Sequence, residues 1–200
     1  MKIYYIIIGI IFLSCIAFFF TSCQKKPTES NQLVTTKDTI KPKVHNTKEN
    51  IYEEMRNMAF KVKPEELGLS LSKDKTEVYG IVMDWEMGGG IATTVAYETG
   101  DASLYLSSGG AVIGGGQHQN VNSEAKKFLV LAQTFLDKTI EAETTELPKS
   151  NEVIFYFLTN NGVRSGKEKM ENFENNSSKW LKLFEEGNNV LTELRKVSGK

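Results

Sequence analysis

Cysteine and histidine are almost missing from this 200-residue chain, and their scarcity removes most of the familiar catalytic inventory. Both cysteines, Cys15 and Cys23, stand in the first 23 residues. Nothing after them can close a disulfide within itself, hold a Cys-ligated zinc or use a thiolate nucleophile. The two histidines are His45 and His118. A two-histidine metal site needs both, and His45 falls in a polar stretch read below as a tether, so no metal and no cofactor are assigned. A Ser-His-Asp arrangement has only His118 to draw on. Paired-carboxylate chemistry stays open in principle, but 25 acids single out no pair, and no catalytic residue is assigned. Residues 51–200 carry 17 basic against 22 acidic groups and no basic aromatic stripe, which excludes nucleic acid as the expected partner.

What the chain does have in excess lies at its start. "MKIYYIIIGIIFLSCIAFFF" holds one charge, Lys2, before a nearly unbroken apolar run, and "TSC" follows it. A basic start, an apolar centre and a small-residue step describe a secretory signal over residues 1–22. Residues 3–20 are also near the lower limit for spanning a bilayer, so an uncleaved helix is the alternative. The segment "FFFTSCQ" resembles the lipobox of bacterial lipoproteins, with Phe20 where Leu is usual. The resemblance covers residues 1–23 and implies lipidation at Cys23. Cleavage at Cys15 would instead leave "IAFFF" at the new terminus. The implied partner is a membrane through the lipid anchor, and the implied address is the cell or outer membrane, facing the periplasm or exterior. Acyl chains contribute about 0.8 kcal/mol per buried methylene, so several on one cysteine hold firmly.

Residues 23–50 follow as a lipidated cysteine and tether. From residue 24 the segment has no aromatic residue, two prolines and six lysines against three acids. Its scattered apolar residues bury too little to offset ordering, so it is expected to be a flexible coil.

Residues 51–200 read as a single α+β domain. Ile51, Met55, Met58, Ala59 and Val62 form a helical stripe, and "KPEELGL" a short turn stopped by Gly68. "EVYGIVMDW" is apolar on both faces and reads as a central strand; "IATTVAYET" and "ASLYLSS" alternate, giving a meander. A helix near Asn122 follows, capped by Asn122 or Ser123 and buried through Phe128, Leu131, Ala132, Phe135, Leu136 and Ile140. "EVIFYFL" is a second central strand, with "VRS" a short edge strand after it. The C-terminal helix is amphipathic through Trp180, Leu181, Phe184, Leu191, Leu194 and Val197, with Gly187 expected to divide it. The order α-β-β-β-α-β-(β)-α predicts an antiparallel sheet of four to five strands with helices on one face.

The glycine stretch "SSGGAVIGGGQHQN" lacks the lysine and hydroxyl of a P-loop and does not fit G-x-G-x-x-G. Free amides at Gly114, Gly115 and Gly116, with Gln117 and His118 as donors before a helix N-terminus, are a candidate anion site. Against it stands close packing or turn formation. Asp84 and Trp85 are a second candidate ligand lining, against core-rim packing for the tryptophan. The stretches "VYGIVMDWEMGGG" and "SSGGAVIGGG" together resemble uncharacterised small bacterial proteins, a likeness that implies no activity. The leading expectation is an envelope lipoprotein acting as a non-enzymatic binding or interaction module. The alternatives are an envelope hydrolase using His118 with Asp84 or Glu86, and an immunity-type lipoprotein.

Overall fold

The computed structural model describes residues 48–199, and side chains from Ile51 onward. The chain divides into two units, Met1–Pro42 and Lys43–Lys200, and all described residues belong to the second. The leader, Cys23, His45 and the tether as far as residue 47 lie outside the described residues; residues 48–50, expected to end the tether as coil, instead open the first helix.

The α+β expectation holds, with an antiparallel sheet larger than the four to five strands expected. Seven strands run in the order β4-β3-β2-β1-β6-β7-β5. They are β1 (Val78–Glu86), β2 (Ile91–Tyr97), β3 (Ala102–Leu106), β4 (Ala111–Val112), β5 (Ile140–Glu141), β6 (Glu152–Thr159) and β7 (Gly162–Lys169). The two central strands are the two expected to be central, β1 and β6, paired from Val78↔Thr159 to Trp85↔Val153. A strand buried on both faces reads as a near-continuous apolar run, and all eight residues of β6 are buried, with only Glu152 and Thr159 at its ends polar.

"VRS" belongs to the eight-residue β7, which pairs along the whole of β6 and carries the short β5 on its other side. The polar composition of β7 hides it, because its inner face is closed by a neighbour: a Cβ at Gly166 would stand 2.2 Å from the Trp180 ring. Trp180 is 1% exposed and stacks on Phe135 and Phe155.

Helices cover both faces rather than one. On the first face lie α2 (Gln119–Gln133) and α4 (Leu181–Val197), with the short α3 (Met170–Glu174) before α4. Val121, Ala125, Phe128, Ala132, Leu183 and Leu194 close over Ile81, Met83, Ala96, Leu104, Phe155 and Phe157. Gly187 does not divide α4; it lies within the helix, where a Cβ would meet Met83 Sδ at 2.6 Å and Phe128 Cζ at 3.1 Å. The glycine's cost in helix propensity, about 1 kcal/mol, is accepted for close approach of helix to sheet.

On the second face lies α1 (Lys48–Lys61), followed by the expected turn at Pro64–Leu67 stopped by Gly68 at φ 71°. Here Tyr52, Ala59, Tyr79, Val82, Val95, Tyr97, Tyr105, Ile154, Tyr156 and Leu158 pack together. The inward stripe of α1 differs from the expected one. Ile51 and Met58 point outward, at 42% and 58% exposure, while Tyr52 and Arg56 are buried. The helix is turned to bring Arg56 inward.

Two further local expectations change. The N-cap position of α2 is His118, without a side-chain cap bond, and Asn122 reaches back from inside the helix to the Thr99 and Gly116 carbonyls. Ile140 leaves the helix for β5 and is 71% exposed.

Candidate functional site

The sequence candidates do not converge. Asp84 projects to the α1 face, fully buried. Its Oδ2 accepts from Arg56 Nε at 3.0 Å and Nη2 at 2.6 Å, and its Oδ1 from the Thr93 hydroxyl. Arg56 Nη1 and Nη2 also donate to the Thr145 and Glu146 carbonyls, at 2.9 and 3.2 Å. Tyr52 shares a 2.7 Å hydrogen bond with Thr93, and the guanidinium lies over the Phe60 ring. Burial pushes the Asp84 carboxyl above its ordinary value, and Arg56 opposes the push. Burial would lower Arg56, but the facing carboxylate more than offsets it and holds the guanidinium charged. The pair ties α1, β1, β2 and the segment before Pro148 into one body. Both carboxylate oxygens are engaged, which leaves Asp84 poorly placed to hold a ligand or attack a substrate.

Trp85 projects to the opposite face, half-buried, edge-on to Phe184 with centroids 5.1 Å apart. It packs as part of the core rim. Glu86 accepts from the amides of Gly89 and Asn151, and these bonds hold its carboxyl below the ordinary value of 4.5.

The second glycine run packs at the far end of the sheet. Gly115 is buried, and a Cβ there would stand 2.4 Å from Leu194 and 3.2 Å from the Ala102 carbonyl. The Gly116 amide donates to Asp101 Oδ1 at 3.1 Å, and the Gly114 amide to Ser103 Oγ at 3.4 Å. The negative charge expected from a ligand before α2 is thus supplied by the chain's own Asp101. Gln117 and His118 are exposed. Asp84 lies near the β1–β2 turn on the α1 face, whereas His118 heads α2 on the other face, beside the start of β3. They form no acid-base pair.

A different feature has the form of a binding site. An apolar cleft of about 310 Å³ opens between the end of α4 and the β2-β3-β4 side of the sheet. Met87, Ala92, Leu104, Leu106, Val112 and Leu191 wall it, and Arg195 and Ser198 stand at its α4 end. Its origin is a step in side-chain size. One row across the sheet runs Val153, Trp85, Ala92, Leu106. Alanine between tryptophan and leucine leaves a hollow, which α4 borders through Leu191 and Arg195. The Trp85 indole N–H and the Thr94 hydroxyl, which neighbour Ala92 on the same face, are buried without partners. Both are sealed from solvent and neither residue lines the cleft, so they offer a ligand there no hydrogen bond. A second hollow of about 200 Å³, lined by Ile51, Tyr52 and Met55, shares Leu106 and Gly110 with the cleft.

The cleft leaves no local trace in the sequence, because its walls come from five separate segments. The Arg56–Asp84 pair did leave a signal: an aspartate inside an apolar central strand requires a buried cation or donor set.

Among the described residues no three His, Cys, Asp or Glu side chains group as a metal site, and no helix is long and apolar enough to cross a membrane. No family model, no curated protein and no solved structure matches the chain.

Proposed function

We propose that this protein is a lipid-anchored envelope lipoprotein whose folded part is a binding module rather than an enzyme. The anchor reading rests on the apolar run ending in "TSC" at Cys23. The binding reading is carried by the cleft. Its walls are apolar, and Arg195 is the one titratable side chain among its lining residues, too basic to shuttle protons near neutral pH. A preformed apolar hollow with few polar groups is the general form of a small-ligand site.

Metabolic labelling with an alkyne fatty acid, followed by mass spectrometry of the N-terminal peptide, tests the anchor. Acylated Cys23 without the leader is expected, and Cys23→Ser abolishes both label and membrane recovery. A retained leader or an unmodified Cys23 in native material overturns it.

A further inference from the structure

We propose that the cleft seats one alkyl chain whose anionic head group pairs with Arg195. The inference rests on the binding-module reading and names the ligand class of that site. Apolar walls favour a chain that makes no hydrogen bonds, because a buried sugar or peptide group would lose its water partners without replacement. About 310 Å³ is at the small end of ligand cavities, which suits one chain rather than a two-chain lipid. An added peptide strand has little to pair with, since β4 is two residues long.

The head group follows from the mouth. Two cations end α4, Arg195 and Lys196. Lys196 is held by Glu193 at 2.6 Å, whereas Arg195 pairs with no carboxylate among the described residues and is exposed. Basic residues in a last turn complement the helix dipole, and this accounts for either one. Only Arg195 also lines the cleft, with Ser198 beside it. Its planar fork suits a carboxylate or a phosphate.

The source follows from the anchor reading: an acylated Cys23 would keep the body within reach of membrane amphiphiles.

The test uses the full chain in phosphatidylcholine vesicles. Three diazirine probes share one alkyl length and carry a carboxylate, a phosphate monoester or a trimethylammonium head. Adducts are mapped by peptide mass spectrometry. The anionic probes are expected to mark peptides containing Met87, Leu106 and Val112 about fivefold more than the ammonium probe, the scale of one exposed ion pair. The stronger anionic probe distinguishes a fatty acid from a phosphate-headed lipid. Arg195→Glu, at an exposed position, should reverse the preference. Val112→Trp should block labelling, with near-UV circular dichroism checking its fold. Equal marking by all three probes, or unchanged marking in Val112→Trp, overturns the proposal. A probe recovered chemically altered would sink the binding-module reading while leaving the seat in place. An unmodified Cys23 with cleft labelling intact would sink only the anchor.

Discussion

On one face of the sheet, α2 and α4 lay phenylalanine, leucine and a stacked tryptophan against an apolar surface, while on the other α1 brings a guanidinium onto a fully buried aspartate among tyrosines. The first face is closed by shape, with Gly166 and Gly187 making room for neighbours that would otherwise collide. The second is closed by polar matching, in which the Arg56 donors, both Asp84 oxygens and the Tyr52 and Thr93 hydroxyls find partners. The difference shows how one sheet supports two kinds of specificity. Apolar packing tolerates adjustment at its margin, and the cleft lies at that margin. A buried ion pair tolerates none, because each partner is costly without the other.

The sharpest way to break the contrast is to orphan one charge. Arg56→Met should lower unfolding stability by about 3–5 kcal/mol, the usual cost of stranding a buried partner. The double variant Arg56→Met with Asp84→Leu should recover much of it, as urea titration would show. A double variant no better than the single would mean the pair holds the loop at Thr145 and Glu146 more than it holds itself.

Breaking the apolar face costs less. Gly166→Ala drives a methyl into the Trp180 ring and should cost about 1–3 kcal/mol, an overpacking penalty. Fluorescence of the displaced tryptophan reports it directly.

The faces should also separate in alkali. Burial pushes the Tyr52 and Tyr156 hydroxyls up to about 12, with the Asp84 charge adding to each, and raises Tyr97 as well. Unfolded tyrosine titrates near 10, so unfolding releases these protons more readily than the native state does. The stabilising contribution is complete below pH 10 and is lost as pH rises toward the folded values. Denaturation midpoints should fall across that interval, and the slope should shrink in Tyr52→Phe.

The smallest effect has the opposite sign. Thr94→Val removes a hydroxyl buried without a partner on the apolar face and should raise stability by about 1 kcal/mol. A loss measured by the same titration would show that Thr94 has a partner after all.

Legibility in the sequence follows the range of the interaction. Strands β1 and β6 announce themselves because central strands carry near-continuous apolar runs, broken within β1 by Asp84. Helices α2 and α4 do so because one face of each must be. The polar β7 is hidden, since its fitness depends on Trp180 lying over Gly166. The rotation of α1 is hidden for the same kind of reason: Ile51 and Met58 suggest one inward face, and Arg56 imposes another through Asp84, 28 residues away. Of the candidate site residues, Trp85 comes within one strand of the cleft through its neighbour Ala92. For the glycines at 114–116 the sequence leaves ligand-binding amides and packing positions both open, and the contacts with Asp101 and Leu194 are too distant in the chain to be read from it.

Both margins of the sheet end in strands of two residues, β4 and β5. Such stubs offer an approaching chain almost no ladder to extend. Where β4 and β5 close the margins, a second copy of the chain therefore finds only two residues a side on which to lengthen the sheet.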